Sequence, residues 1–382
     1  MNRNVWVAGF VSLFTDISSE MLVPVLPLFL ATVLHAPIRA IGLIEGAAEA
    51  TASIMKAISG WISDRTGRRK PLMVMGYGLS NILKPLMAFT GTWGQVLAIR
   101  LTDRFGKGIR GAPRDALIAD SAETAMRGKA FGLHRAMDTV GAAIGPLAAG
   151  AILWVWPGEY RKVFMWAAVP GVIAIVLIVL FLRETGEGRT TTGPVLRNWG
   201  LSLWRLSPAL RRFVLIGFLF ALGNSSDAFL ILRAQNLGLS GGLVTMAYFT
   251  FNFSYAILSY PLGALSDRIG RKPVMVGGFV AFALIYFGFG MATQAWMVWP
   301  LFLCYGLYYA GTEGIQKAYI TDHAEPEQRG TAVGVYNALT GLAALPASIV
   351  AGFLWERLGP AVPFWVGSGT AAVSALLLLL WG

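Results

Sequence analysis

The sequence predicts an all-α membrane protein with twelve transmembrane helices in two pseudo-symmetric six-helix bundles. Three observations lead to this fold class: the scarcity of charge, twelve apolar stretches of spanning length, and a repeat between the two halves. Charged residues make up 13% of the 382 residues and hydrophobic residues 55%. Because a soluble domain carries about 25% charged residues, the composition excludes soluble enzymes, secreted modules and disordered scaffolds.

Each apolar stretch is long enough to cross the membrane as a helix, which takes roughly 20 residues for ~30 Å of hydrocarbon. Every backbone polar group must be satisfied in lipid, and the stretches are too long for barrel strands, so we predict helices. The twelve predicted spans are 5–33, 40–62, 72–91, 95–119, 129–154, 163–182, 213–234, 242–265, 274–293, 295–319, 329–354 and 361–381.

The loops between the spans predict the orientation and the domain boundaries. The N-terminus and the even-numbered loops hold 17 Lys and Arg residues, and the odd-numbered loops hold 5. Since basic loops stay in the cytoplasm, we place both termini there and the protein in the inner (cytoplasmic) membrane. The long polar connection predicts an N-terminal bundle over 1–184, a cytoplasmic linker over 185–212 and a C-terminal bundle over 213–382.

The two halves of the chain repeat each other. The segment GWISDRTGRRKP at 60–71 recurs as GALSDRIGRKP at 263–273, and the segment around Asp120 recurs around Asp322, 202 residues later. A near-constant offset indicates duplicated six-helix halves. Parallel repeats around a central site suggest transport by alternating access.

These motifs resemble the major facilitator superfamily over the whole chain. The loops after the second and eighth spans match its signature G-x-x-x-D-R-x-G-R-R/K, and 104–112 is similar to its motif R-x-x-Q-G-x-G-A-A, with Lys107 replacing Gln and Arg110 replacing Gly. The resemblance implies the twelve-helix major facilitator fold. The fifth span resembles the antiporter motif G-x-x-x-G-P-x-x-G-G without its penultimate Gly, which implies export in exchange for protons. The residues of this helix-5 motif are Gly141, Gly145, Pro146 and Gly150.

The repeated signature predicts a cytoplasmic gate. The carboxylate of Asp64 is expected to pair with Arg114 and to face the positive N-terminal end of the eleventh helix. Asp267, its repeat equivalent, is expected to pair with Lys317 or Gln316. For the neighbouring cations, topology and lipid head groups are an alternative explanation. The predicted gate residues are Gly60, Asp64, Arg65, Gly67, Arg68, Arg114, Gly263, Asp267, Arg268, Gly270, Arg271 and Lys317.

Ionisable residues lie near the middle of several N-terminal spans. At a rise of about 1.5 Å per residue, Asp16, Glu49, Arg104 and Asp138 reach similar depths. A charge there costs several kcal/mol unless it is paired or faces water. We therefore predict that these groups line a water-accessible cavity, the alternative being an ion-pair network that only holds the helices together. The proton-coupling candidates are Asp16, Glu20, Glu49, Arg104 and Asp138.

The two halves differ in the side chains that they offer to a solute. Cations at cavity depth in the first half suggest a polar solute, anionic ones included, whereas the second half offers aromatic and neutral polar groups that can hold an organic molecule. Packing and lipid contact are the alternative roles. The substrate-cavity candidates are Lys84, Lys107, Arg110, Arg135, Asn224, Asp227, Tyr248, Asn252, Tyr255, Tyr305, Tyr309 and Glu313.

The sequence thus predicts a secondary active transporter, with proton-coupled export of a small polar or amphipathic solute, anionic solutes included, as the leading interpretation. The alternatives are proton-coupled uptake of an organic acid or sugar, and lipid translocation. The chain has no G-x-S-x-G, H-E-x-x-H or complete P-loop and no Cys/His metal spacing, so we expect no enzyme activity, cofactor or metal site of that kind. The expected partners are the solute, protons and membrane lipid but not nucleic acid, and we expect a monomer.

Overall fold

The computed structural model describes residues 2–66, 69–123, 126–184, 206–325 and 329–381. Within these ranges the chain forms fifteen α-helices and no β-strand, which confirms the predicted all-α class. Most of the predicted linker, residues 185–205, lies outside the described ranges, so the predicted domain boundaries stay a prediction.

All twelve predicted spans are helical. In the first half the helices are α1 (Arg3–Leu22), α2 (Leu26–Thr32), α3 (Ile38–Thr66), α4 (Lys70–Leu86), α5 (Trp93–Asp120), α6 (Arg127–Val155), α7 (Tyr160–Trp166) and α8 (Ala168–Phe181). In the second half they are α9 (Pro208–Gly223), α10 (Ala228–Asn236), α11 (Gly241–Ile269), α12 (Arg271–Met291), α13 (Val298–His323), α14 (Arg329–Leu358) and α15 (Val362–Trp381).

Three of the twelve spans are each divided into two helices, and each division has a local cause. Pro24 interrupts the first span between α1 and α2, and Pro170 lies just after the α7–α8 junction, where its ring would clash with the carbonyl of Trp166. Between α9 and α10 the chain reads Asn-Ser-Ser-Asp over 224–227. These short polar side chains compete with the helical backbone for hydrogen bonds.

Eight helical segments of the described chain are long and apolar enough to cross a membrane by length and composition. The other four predicted spans are α3, α5, α11 and α13, which contain 29, 28, 29 and 26 residues. They have ample length for a crossing, but they carry ionisable or polar side chains that lower their hydropathy. The four helices that carry most of the candidate polar residues are therefore the four least apolar ones.

The chain forms two compact units. Unit 1 comprises Met1–Ala36 with Thr51–Pro194, and unit 2 comprises Pro37–Ala50 with Val195–Gly382. In unit 1, α1 packs against α6 and α8, and α4 packs against α5 and α8. In unit 2, the repeat-equivalent helices pair in the same way, with α9 against α14 and α15, and α12 against α13 and α15. This shared pairing agrees with the sequence repeat.

Different side chains fill the interiors of the two units. Unit 1 has a mainly aliphatic cluster in which Tyr77 is the one aromatic member, formed by Val11, Met73, Tyr77, Leu117, Ala174, Ile178 and Leu182. Unit 2 has an aromatic interior, in which Phe220 stacks on Phe279 with ring centroids 4.1 Å apart and Phe282 stacks on Tyr286 at 3.9 Å. The predicted aromatic character of the second half therefore extends into its packing core.

Candidate functional site

A fully buried lysine lies at the centre of the polar interior of unit 1. Lys84, on α4, is only 1% exposed. Its Nζ donates to Asn81 Oδ1 at 2.9 Å, to Ser18 Oγ at 3.2 Å and to the Thr15 carbonyl oxygen at 3.4 Å. These three neutral acceptors match the three donors of an ammonium group, and no carboxylate of the described chain lies within 4.0 Å of Nζ. Lys84 is therefore solvated by the protein itself.

A second buried charge is balanced by an ion pair. Asp103, on α5, accepts a 2.5 Å hydrogen bond from Ser80 and lies 3.6 Å from Arg100 Nη1. The side chains of Asp103 and Arg100 are only 6% and 5% exposed. Removing either member would break a buried ion pair, which is strongly destabilising.

The remaining cations of α5 differ in their surroundings. Arg110 is buried with its guanidinium 4.2 Å from the ring centroid of Tyr77. Arg114 is half-buried and donates from Nε and Nη2 to Asp115 at 3.0 and 2.8 Å. Arg104 is half-buried and Lys107 is exposed. Some of the cations that suggested an anionic solute thus already have partners within the protein.

The predicted proton-coupling carboxylates are found on α1, α3 and α6. Asp16 and Glu20 are half-buried on α1, and Glu49 is exposed on the part of α3 that belongs to unit 2. On α6, Asp138 Oδ2 lies 3.6 Å from Nδ1 of the buried His134, and Arg135 beside it is exposed.

Four buried polar atoms near these groups have no hydrogen-bond partner within the described part of the chain. They are Arg104 Nε, Arg110 Nη1, His134 Nε2 and Asp138 Oδ1. A buried polar group without a partner costs free energy, so this region of unit 1 has spare capacity for water, a proton or a solute. The structure thus gathers Asp138, Arg104 and Arg110 in unit 1, as it does Asp16 and Glu20.

The helix-5 motif lies where α6 meets α1. A Cβ on Gly141 would lie 3.0 Å from the Cβ of Asp16, and a Cβ on Gly145 would lie 2.6 Å from the Cβ of Glu20. Pro146 and Gly150 follow in the same helix and are buried. The two glycines therefore bring the carboxylate-bearing helix α1 into direct backbone contact with α6.

In unit 2, the interruption between α9 and α10 places an acidic side chain beside a group of tyrosines. Asp227 Oδ1 accepts a 2.7 Å hydrogen bond from Tyr305, and its Oδ2 lies 3.5 Å from the hydroxyl of Tyr309. Asn224 Nδ2 donates to the hydroxyl of Tyr308 at 3.2 Å. Tyr308 was not among the candidates selected from the sequence, although it lies between the two selected tyrosines of α13, Tyr305 and Tyr309.

A second acidic group lies on α13. Glu313 Oε2 accepts a 2.6 Å hydrogen bond from Tyr255, and Glu313 Oε1 lies 3.2 Å from Lys317 Nζ. Asn252, one turn before Tyr255, has a buried Nδ2 atom without a partner in the described chain. Tyr248 is buried against Phe251 and Phe302.

The structure corrects one predicted gate contact. Asp267 was expected to pair with Lys317 or Gln316, but its carboxylate lies 2.5 Å from Arg271, four residues further on. Arg271 also contacts Asp322 at 3.2 Å, while Lys317 pairs with Glu313. In both Asp267–Arg271 and Glu313–Lys317 the partners are four residues apart in sequence. Such local pairs form instead of the predicted contact between distant residues.

The structure describes some of the other gate residues fully, some by their backbone alone and some not at all. Gly270 has a φ of 95°, in the left-handed region that glycine tolerates, and it ends α11. Gly263 and Arg268 lie in the last two turns of α11. Gly67 and Arg68 lie outside the described residues, and Gly60, Asp64 and Arg65 are described by their backbone alone, as part of α3. The predicted Asp64–Arg114 contact therefore stays a prediction.

The sequence analysis missed one ion pair of unit 1 at the corresponding place. Arg69 pairs with Asp120 at the C-terminal end of α5, and Arg271 pairs with Asp322 near the C-terminal end of α13. Arg69 and Asp120 each precede their counterparts by 202 residues. Neither pair was predicted, although the sequence places an Arg and an Asp at these equivalent positions in both halves.

These features define the class of the protein: a multi-pass helical membrane protein with polar and ionisable side chains buried between its helices, as in a membrane transporter. The chain belongs to the Major Facilitator Superfamily, whose family model matches residues 8–233 and 213–382. An uncharacterised MFS-type transporter of Methanocaldococcus jannaschii is 34% identical, covering 99% of this chain and 95% of that protein. Members of this superfamily are transporters.

More distant similarities agree with this family. The class G tetracycline resistance protein of Vibrio anguillarum is 26% identical, covering 94% of this chain and 91% of that protein. Among solved structures, a POT family transporter in complex with a thioalcohol-conjugated peptide has a TM-score of 0.83 at 13% identity, covering 99% of this chain and 96% of that one. The nucleoside transporter NupG has a TM-score of 0.80 at 14% identity, with 99% and 98% covered. These two structures show the fold alone.

Proposed function

We propose that this transporter exports a small polar or amphipathic solute in exchange for protons, by alternating access. The observation that carries the proposal is the group of ionisable side chains inside unit 1, where Asp16 and Glu20 lie on α1 and Asp138 contacts His134 on α6. A carboxylate in a partly desolvated site binds or releases a proton when its surroundings change. Coupling then requires only that the solute and the proton favour different states of the transporter.

Two further observations favour export. The helix-5 motif resembles the antiporter signature, and its Gly141 and Gly145 lie against Asp16 and Glu20. Relatives named as tetracycline resistance proteins match 88% or more of this chain at 23–26% identity. Resistance conferred by a membrane transporter is explained by removal of the compound from the cell.

The proposal includes neutral as well as charged solutes. Lys84 and Arg110, two cations that suggested an anionic solute, have contacts within unit 1, so they do not require one. Uptake of an organic acid or sugar and lipid translocation are the alternatives. We propose transport and not catalysis for this chain, because the superfamily to which it belongs consists of transporters.

The topology is proposed from the distribution of charge. The excess of Lys and Arg in the even-numbered loops supports cytoplasmic termini in the inner membrane. Asp267, Arg271 and Asp322 would then form a contact on the cytoplasmic side, and we propose that this contact and its Arg69–Asp120 counterpart strengthen one state of the transport cycle. We expect the protein to work as a monomer surrounded by lipid.

Proteoliposomes containing the purified protein and the pH dye pyranine would test this proposal. Drugs, organic anions, sugars and metal chelates are added outside one at a time, with protein-free liposomes as the control for passive permeation. An antiporter exports protons as the solute enters, so the lumen becomes alkaline. A symporter makes the lumen acidic, and an acidic response or no protein-dependent response to any solute would overturn the proposal.

A further inference from the structure

We propose that unit 2 binds a planar aromatic solute that carries a positive charge. The site is the acidic tyrosine strip, which we define as Asp227, Tyr309, Tyr255 and Glu313, with Asn252 at its edge. This inference rests on the proposed function, because it names the chemical class of the transported solute.

Asp227 forms one end of the strip. It lies immediately before α10, at the interruption of a membrane-spanning segment, and both of its oxygens face tyrosine hydroxyls, Tyr305 at 2.7 Å and Tyr309 at 3.5 Å. These hydroxyls donate to the carboxylate and hold its orientation. Asp227 is therefore held in place by two tyrosines, next to the half-buried ring of Tyr309.

Glu313 forms the other end. Tyr255 donates to Glu313 Oε2 at 2.6 Å, and Lys317 contacts its second oxygen at 3.2 Å. The ring centroids of Tyr255 and Tyr309 are 5.6 Å apart with their planes at 64°. The two tyrosines therefore bridge the two acidic groups with an aromatic surface.

The arrangement of the rings indicates where a ligand would bind. The rings of Phe251, Tyr305 and Tyr309 have centroids 5.1 to 5.3 Å apart, which is direct aromatic packing that leaves no room for a molecule between them. Tyr305 is fully buried, whereas Tyr255 and Tyr309 are half-buried. The accessible parts of these two rings are thus the surface on which a planar ligand can stack.

The charges of this region select for a cation. The sequence from Gly241 to Ser266 on α11 has no Asp, Glu, Lys or Arg, and Val298 to Gln316 on α13 has only Glu313. Lys317, the next residue, pairs with Glu313, so Asp227 is the carboxylate that gives the strip its negative charge. Asp227 and the aromatic rings attract a positive charge, since a cation near a ring face gains about 0.5–2 kcal/mol, whereas an anion would meet the like charge of Asp227. The buried Asn252 Nδ2, which lacks a partner in the described chain, could donate to an oxygen or ring nitrogen of the ligand.

A matched pair of dyes would test this inference. Rhodamine 6G is a planar xanthene cation, and fluorescein has the same ring system with negative charge. Fluorescence anisotropy with purified protein in detergent measures both affinities without any ion gradient. We expect rhodamine 6G to bind at least about tenfold more tightly than fluorescein, as electrostatic complementarity requires. Equal affinity, or preference for fluorescein, would overturn the inference.

Variants then assign the binding to the strip. Asp227→Asn should weaken rhodamine 6G binding about tenfold and Tyr309→Leu about fivefold, because each removes one attractive element. Glu159→Gln removes a carboxylate from the exposed loop before α7 in unit 1 and should leave the affinity unchanged. If Asp227→Asn does not fold, Tyr309→Leu decides alone. A change of less than twofold in a folded variant of either residue would show that the dye binds elsewhere.

The outcomes separate this inference from the proposed function. If rhodamine 6G binds as expected but no solute moves protons in proteoliposomes, the strip is supported and proton exchange is wrong. If solutes move protons but rhodamine 6G binding does not respond to the strip variants, proton exchange is supported and the cationic aromatic class is wrong.

Discussion

Gly145 on α6 lies directly against Glu20 on α1: a Cβ placed on this glycine would be 2.6 Å from the Glu20 Cβ and 2.9 Å from the Ile17 carbonyl oxygen. The close approach of these helices is therefore possible because Gly145 has no side chain. The same contact connects the helix-5 motif to a predicted proton-coupling residue.

The first prediction concerns this contact. Gly145→Ala should destabilise the protein by about 1–3 kcal/mol, because the added methyl group overpacks the α1–α6 interface. Gly132→Ala is a matched control on the same helix, since nothing lies within 4 Å of a Cβ there. It should be neutral or stabilise by about 0.5–1 kcal/mol, because alanine is a better helix former. Thermal unfolding of both variants in detergent measures the difference, and equal melting temperatures would contradict the packing argument.

The second prediction concerns the buried Lys84. Lys84→Met should destabilise the protein by about 1–3 kcal/mol, because the apolar side chain leaves buried acceptors without their donor. The exposed Lys129 near the start of α6 offers a control, and Lys129→Met should leave stability unchanged. A loss of more than about 3 kcal/mol in Lys84→Met would mean that the lysine neutralises a buried carboxylate.

The third prediction compares a buried with an exposed ion pair. Asp103→Asn should cost about 3–5 kcal/mol, since it breaks a buried ion pair by removing the charge of one member. Asp322→Asn changes the same chemistry in a contact whose partners are 52% and 26% exposed, and should cost less than about 1 kcal/mol. Unfolding followed by tryptophan fluorescence compares the two variants. Equal losses would show that burial does not determine the strength of these contacts.

The fourth prediction concerns proton coupling. Asp138→Asn should abolish solute-dependent alkalinisation of proteoliposomes while solute exchange in the absence of a pH gradient continues, because an amide cannot carry the proton. Asp16→Asn should have the same effect if Asp16 shares the proton. Glu159→Gln, which removes a charge from the exposed loop before α7, should retain full coupling. If both Asp138→Asn and Asp16→Asn remain coupled, another group carries the proton.

The number of spans and the repeat could be predicted from sequence because both depend on local composition. The lipid interior requires long apolar segments whose backbone hydrogen bonds form within the segment, so each span can be recognised from its own residues. The interruptions at Pro24 and Pro170 also have local causes. The contact between Asp227 and Tyr305, which follows from the Asn224–Asp227 interruption, joins residues far apart in sequence and has no local cause.

Partners across the interior were harder to predict. Asp267 pairs with Arg271 and not with Lys317, because Glu313 lies one turn from Lys317 on the same helix. The Arg69–Asp120 and Arg271–Asp322 pairs were missed because the partners of each are far apart in sequence, and the spacing of residues does not reveal such contacts.

The sequence by itself determined the class of protein, the twelve helical spans, the duplication and the types of side chain near mid-membrane. Only the tertiary structure decided that Lys84 is surrounded by neutral acceptors, that Asp103 pairs with Arg100, and that tyrosines join Asp227 to Glu313. The physical reason is that spanning a membrane depends on the hydropathy of consecutive residues, whereas the cost of a buried charge depends on neighbours supplied by other helices.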